Sequence, residues 1–210
     1  LRVFDYPHLD ADAAGTLVRA HAGEGVALLT DGVFTADGTV APLPELLGAL
    51  RRGCADTPGT LVVDDCHGFC VLGGHGRGTL EQLGVRDERV CVTTTLAKGL
   101  GCYGGAVAGS EALIDAVRAH AGIYRGTTPI PPALAEAARA GLRVVDADPG
   151  LVARLRENAE RMGEGLARLG LWRPTRSAGR MPPATPIFAF TLESMAKMES
   201  VHLRLMQAGF

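Results

Sequence analysis

Three short apolar runs constrain this chain most: Val26-Ala27-Leu28-Leu29-Thr30, Leu61-Val62-Val63-Asp64 and Val90-Cys91-Val92-Thr93-Thr94. Runs of strand length without polar alternation predict strands buried on both faces of a sheet. Helical sequence lies between and after them. Pro44 stands near the start of Glu45-Leu46-Leu47-Gly48-Ala49-Leu50-Arg51, and Ser110 precedes Glu111-Ala112-Leu113-Ile114-Asp115-Ala116-Val117, a cap followed by an acid in the first turn. Strands alternating with helices imply parallel βαβ units. The predicted fold class is therefore α/β, a mostly parallel sheet flanked by helices.

After Tyr124 the texture changes. Pro132 opens an Ala-rich helix to about residue 145, and Pro149 opens another in which Leu151, Leu155, Ala159, Met162, Leu166 and Leu169 recur at helical spacing. Gly170 stops it, a Pro/Arg-rich loop covers residues 173–186, and Ile187-Phe188-Ala189-Phe190-Thr191-Leu192 predicts a strand ahead of a helix from Ser194. The expected division is residues 1–148 in one large domain, 149–170 as a connecting helix and 171–210 as the start of a small C-terminal α+β domain.

Composition excludes several partners. With 47% hydrophobic and 21% charged residues over 210 positions, the chain can bury a core without disulfides or a structural metal. Lys+Arg of 21 against Asp+Glu of 23 leaves a net charge of -2, so no electrostatic footprint for nucleic acid or an anionic membrane is present. The apolar runs are too short to span a bilayer, and Leu1-Arg2-Val3-Phe4-Asp5 lacks a signal-peptide core, so a cytoplasmic location is expected. The five cysteines (54, 66, 70, 91, 102) are odd in number with no C-x-x-C pair, which fits a reducing compartment. A start other than Met and a stop just after a helical pattern lead to the expectation of further protein on both sides.

Two constellations could carry chemistry. Among the 21 basic residues only Lys98 and Lys197 are lysines. Lys197 lies in a polar helical stretch and reads as a solvated surface charge. Lys98 follows a strand and Thr93-Thr94-Thr95, and precedes the glycine-rich Gly99-Leu100-Gly101-Cys102-Tyr103-Gly104-Gly105. An amine at a strand end beside hydroxyls and open backbone suits a phosphate, or a Schiff base if burial lowers its pKa. The second is Asp64-Asp65-Cys66-His67-Gly68, leaving the C-terminal end of its strand, where ligands bind in open parallel sheets. Alone, each has a bland alternative: a turn-capping acid, a satisfied polar histidine, a structural lysine. Cys66, His67, Cys70 and His75 match no usual zinc spacing, so no metal is expected. Gly73-Gly74-His75-Gly76-Arg77-Gly78 lacks the Lys-Ser/Thr of a P-loop and does not clearly open a helix.

Taken together, these segments resemble the pyridoxal-phosphate-dependent α-oxoamine synthases, of fold type I, over residues 30–142. Thr30-Asp31-Gly32-Val33-Phe34-Thr35-Ala36-Asp37-Gly38 with Ala41-Pro42-Leu43 is similar to that family's T-D/E-G-V-F-S-M-D-G and A-P-L stretches. Val63-Asp64-Asp65-Cys66-His67-Gly68, Gly73 and Gly76-Arg77-Gly78 resemble V-D-D/E-A-H-G-T-G-V-x-G and G-R-G. Thr95-Leu96-Ala97-Lys98-Gly99-Leu100-Gly101 and Thr128-Pro129-Ile130-Pro131-Pro132 resemble T-L-G-K-A-F/L-G and T-x-x-P-P.

The resemblance implies roles position by position. Lys98 would form a Schiff base with pyridoxal 5'-phosphate and then remove the substrate α-proton. Asp64 would pair with the pyridine nitrogen. His67 would lie beside the phenolic oxygen and the substrate, Thr35 near the same oxygen, and Cys66 under the ring. Thr95 would hold the phosphate, and Thr128 would reach the phosphate of a neighbouring subunit, implying a homodimer. The implied reaction condenses an amino acid with an acyl-CoA, releasing CoA and carbon dioxide. An aminotransferase or lyase of the same fold, or a non-catalytic partner subunit, is the alternative. Cys66, Phe69 and Cys70 stand where the family has smaller residues, which implies a bulkier site. The family's ring-stacking aromatic would fall before Leu1 and its carboxylate-binding Arg after Phe210.

Overall fold

In the computed structural model, which describes residues 1–173 and 185–210, the three apolar runs lie side by side. They are β1 (Val26–Asp31), β2 (Gly59–Asp64) and β3 (Val90–Thr95), parallel and hydrogen-bonded in that order. A fourth strand, β4 (Gly105–Ala108), returns antiparallel to β3, so the loop of residues 96–104 joins two neighbouring strands. The predicted α/β class with a mostly parallel sheet is borne out.

Among the described residues there are seven α-helices: α1 (Ala11–His21), α2 (Leu43–Gly53), α3 (Thr79–Leu83), α4 (Glu111–His120), α5 (Pro132–Ala147), α6 (Gly150–Arg168) and α7 (Met195–Gln207). Their starts follow from local chemistry. Asp10 accepts the Ala13 N–H at 2.8 Å, Ser110 accepts that of Leu113 at 3.4 Å, and Ser194 accepts that of Lys197 at 3.3 Å. Pro44 and Pro132 occupy first turns, where a missing N–H removes nothing. Gly170 takes a left-handed φ of 70° just past α6.

Leu28, Leu61 and Val63 of the sheet pack with Ala14 and Val18 of α1 and Leu46, Leu47 and Leu50 of α2. Each such buried aliphatic side chain contributes about 1.5–3 kcal/mol. The expectation of strands buried on both faces needs correction. Successive side chains alternate between faces, and Leu29, next to buried Leu28, is 61% exposed. All four residues of β4 are exposed as well. Among the described residues, α1 and α2 cover one face of β1 and β2 and leave Leu29 open on the other.

A second correction concerns Ile187-Phe188-Ala189-Phe190-Thr191-Leu192, which pairs with no strand among the described residues. Instead Ile187 packs on Val33, Val40 and Leu72, and Phe188 meets Trp172 edge to face at 5.0 Å. Here apolar packing outweighs strand propensity. Most of the Pro/Arg-rich loop, residues 174–184, lies outside the described residues. Lys197 is a surface charge, as expected, paired at 2.8 Å with Glu193, which lies just before the Ser194 cap of its helix. No helix among the described residues is long and apolar enough to cross a membrane.

Candidate active site

The carboxyl ends of the parallel strands set the site. Asp31 of β1 is in register with Asp64 of β2, and Asp64 with Thr93 of β3, so two carboxylates and a hydroxyl stand in one row across the sheet. Period-two alternation puts all three on the face that carries Leu29. Asp64 is exposed, and its Oδ1 accepts the Cys66 N–H at 3.0 Å, which turns the chain back over the sheet edge.

That turn delivers His67. Its Nε2 lies 2.6 Å from Lys98 Nζ, which arrives from the β3–β4 loop. An ammonium has donors only, so a bond from a charged Lys98 requires an unprotonated Nε2 and the Nδ1–H tautomer of His67. Burial and then the Lys98 charge hold the His67 imidazole below the ordinary histidine range, although Asp31 and Asp64 pull the other way. The Lys98 side chain is itself exposed, so the burial considered for it from the sequence is absent. Its loop is nonetheless ordered: Leu96 N–H donates to the Gly104 carbonyl at 2.9 Å, and Gly101 N–H donates to that of Lys98 at 2.9 Å. A Cβ at Gly99 would overlap the Phe69 carbonyl, so this glycine lets the Lys98 turn lie against the loop after β2.

Sequence reasoning overlooked Asp65, the most deeply placed ionisable group here. It is 2% exposed. Thr79 donates to it twice, from Oγ1 to Oδ1 at 2.5 Å and from N–H to Oδ2 at 2.8 Å. Burial, opposed by these two bonds and aided by the Asp64 charge, pushes its carboxyl up to about 6. Three glycines enclose it: a Cβ at Gly32, Gly68 or Gly78 would overlap its carboxylate oxygens. Small residues at these three points were the available signal.

The remaining predicted residues divide. Cys66 adjoins the cluster: burial and Asp64 raise its thiol, against the lowering influence of Lys98 and a Thr95 backbone contact. Thr95 Oγ1 accepts the Ala97 N–H at 3.2 Å and donates to the Gly104 carbonyl at 3.3 Å, bracing the Lys98 loop. Thr35 is exposed in the turn after β1, and Thr128 is exposed in the loop before α5. Neither is drawn to Lys98 or His67 by any hydrogen bond of the described residues.

Residues 73–78 correct a further expectation, because Gly78 does open a helix, the short α3. Its anion-binding capacity is already used internally. Glu81 accepts the backbone N–H groups of His75 and Arg77 and the His75 ring nitrogen. Burial would raise the Glu81 carboxyl, but these bonds and the His75 charge hold it below its usual range. Cys70, expected to crowd the site, is buried beneath the Lys98 turn with a φ of 61°, a left-handed value unusual for a side chain other than glycine.

The family described as Aminotransferase class I and II matches residues 1–208. The chain belongs to this family. Among its relatives, the 8-amino-7-oxononanoate synthase of Methylococcus capsulatus is 42% identical over 98% of this chain and 50% of its own length. This chain spans about half the length of the curated relatives it matches. Among solved structures, the serine palmitoyltransferase of Sphingomonas wittichii is 26% identical with a TM-score of 0.82, covering 96% of this chain and 49% of that one. Another serine palmitoyltransferase, solved with pyridoxal phosphate, is 24% identical with a TM-score of 0.74, covering 90% and 46%. The resemblance read from the four motifs is thus borne out at the level of the family.

Proposed function

We propose that this chain is part of a pyridoxal-phosphate-dependent acyltransferase that condenses an amino acid with an acyl-CoA, with loss of carbon dioxide, to give an α-amino ketone. The observation that carries this reading is the meeting of Lys98 Nζ and His67 Nε2 at 2.6 Å, at the end of the sheet where Asp64 stands. The name of the Methylococcus capsulatus relative supports the reaction class.

The side chains at this edge suit the cofactor. An aldehyde needs an amine, which Lys98 supplies, and a protonated ring nitrogen needs a carboxylate, which Asp64 supplies on the open face of the sheet. When bound, pyridoxal phosphate contributes an electrophilic carbon and a ring that accepts the electron pair of a cleaved Cα bond. Every other task falls to the chain. Lys98 Nζ takes the proton from the substrate Cα. His67, whose imidazole is held below the ordinary histidine range by burial and then by Lys98, offers Nε2 to orient the amine and can hold a proton beside the substrate. Cys66, on the same turn, provides the surface beneath the ring. Thr95 would exchange its bond to the Gly104 carbonyl for a phosphate oxygen.

Thr35 belongs to the proposal as a hydroxyl near the phenolic oxygen, and Thr128 as a phosphate ligand for the neighbouring subunit of a homodimer. A cytoplasmic location completes it, supported by five cysteines that are all free thiols. The division into a large domain, a connecting helix and a small C-terminal domain is part of the same reading.

The test is a thiol-release assay on the full chain with pyridoxal phosphate, acyl-CoA and a panel of amino acids. CoA should appear only when both substrates are present. Keto-acid formation without CoA release would assign an aminotransferase instead.

A further inference from the structure

Asp65 lies next to the proposed site without belonging to it. A carboxylate sealed from water costs stability, and apolar residues often fill such a place as well or better. Yet here three loops are built around one. Gly32 follows β1, Gly68 lies in the loop after β2 and Gly78 begins α3, and each leaves just the room that the Asp65 oxygens occupy. The backbone of Asp65 extends the connection to β3. Its N–H donates to the Thr93 carbonyl at 2.8 Å, and its carbonyl accepts from Gly68 N–H, Phe69 N–H and Thr94 Oγ1. Asp64 precedes this junction by one residue and His67 follows it by two.

We propose that Asp65 is a positioning residue, whose two bonds from Thr79 lock the loop after β2 so that His67 Nε2 meets Lys98 and Asp64 faces the open side of the sheet. This deepens the proposed function and rests on Lys98, His67 and Asp64 forming its site. The two oxygens each hold one Thr79 donor, so the loop is fixed both along and across the start of α3. Loss of either bond loosens a turn otherwise held by its backbone bonds, the Asp64 cap on the Cys66 N–H and the Thr94 hydroxyl, and small displacements of a reacting group carry large kinetic penalties. The raised Asp65 carboxyl agrees with a group enclosed on all sides, with Asp64 the one charge that adds to burial.

The test uses long-range proton–nitrogen NMR of the His67 ring in the full chain without any cofactor, with His67→Gln to identify its signals. In the parent protein the ring should be the Nδ1–H tautomer, with an acceptor Nε2 and a titration midpoint below the ordinary histidine value. In Asp65→Asn and Thr79→Ala the tautomer signature should average, and the midpoint should move back toward the ordinary value. Thr79→Ser, which keeps the hydroxyl, should restore the parent pattern. Leu61→Ala, which weakens the core elsewhere, should lower stability and leave the His67 signals in place. Should Asp65→Asn not fold, Thr79→Ala decides. A folded Thr79→Ala protein with unchanged tautomer and titration overturns the proposal. Because no cofactor is present, this result is independent of whether Lys98 binds pyridoxal phosphate: an intact His67–Lys98 pair in a protein that binds none would defeat the function and leave the positioning role standing.

Discussion

Asp65 and His67 sit two residues apart, and burial moves their proton affinities in opposite directions. For Asp65 the consequence is measurable. Its carboxyl stands at about 6 in the folded chain against 3.8 as a free side chain. The folded state therefore holds this proton more tightly than the unfolded chain does. That contribution is fully present below the unfolded value and is lost as pH rises through about 6, a change of roughly 3 kcal/mol. Urea unfolding of Asp65→Asn beside the parent should show the variant gaining by about that amount relative to the parent between pH 4 and pH 7. Parallel curves across that range would mean that Asp65 titrates like an exposed carboxylate. Lys98 was legible at this scale because, apart from Lys197, the chain otherwise uses arginine. Asp65 was not, since the glycines that make room for it, Gly32, Gly68 and Gly78, are scattered along the chain, and two adjacent carboxylates do not themselves show which one faces water.

At the scale of elements, hydrophobic runs and caps foretold most of the fold. The three parallel strands, the caps at Ser110 and Ser194 and the start at Pro132 follow from sequence because each rests on local chemistry. β4 is only four residues long and exposed throughout, and α3 is held at Thr79 by Asp65 from outside its own turn, so neither had a local signal. Ile187-Phe188-Ala189-Phe190-Thr191-Leu192 failed for the converse reason: strand-like residues need a free edge to join, and these pack on Val40, Leu72 and Trp172 instead. The one-sided cover of the sheet separates two neighbours. Leu61→Ala, fully buried against α1 and α2, should cost about 2–5 kcal/mol in chemical denaturation. Leu29→Ala, on the open face, should stay within about 0.5 kcal/mol. Equal losses would show that both faces are covered in solution.

For the molecule as a whole, the sheet order brings together what the sequence holds far apart. Asp31, Asp64 and Lys98 leave three successive strands at one edge, and the roles assigned to Asp64, His67 and Lys98 depend on that edge alone. Thr35 and Thr128 are different: both are exposed, and their proposed partners are a bound cofactor and a second subunit, which no pattern within one chain can display. The central claim is that Lys98 carries the cofactor. It is tested most directly by adding pyridoxal phosphate to the full chain, recording the visible spectrum, reducing with borohydride and mapping the modified lysine by mass spectrometry. A yellow species that reduces to a pyridoxyl group on Lys98, and is absent in Lys98→Ala, is the predicted result. No adduct, or one confined to Lys197, would contradict it.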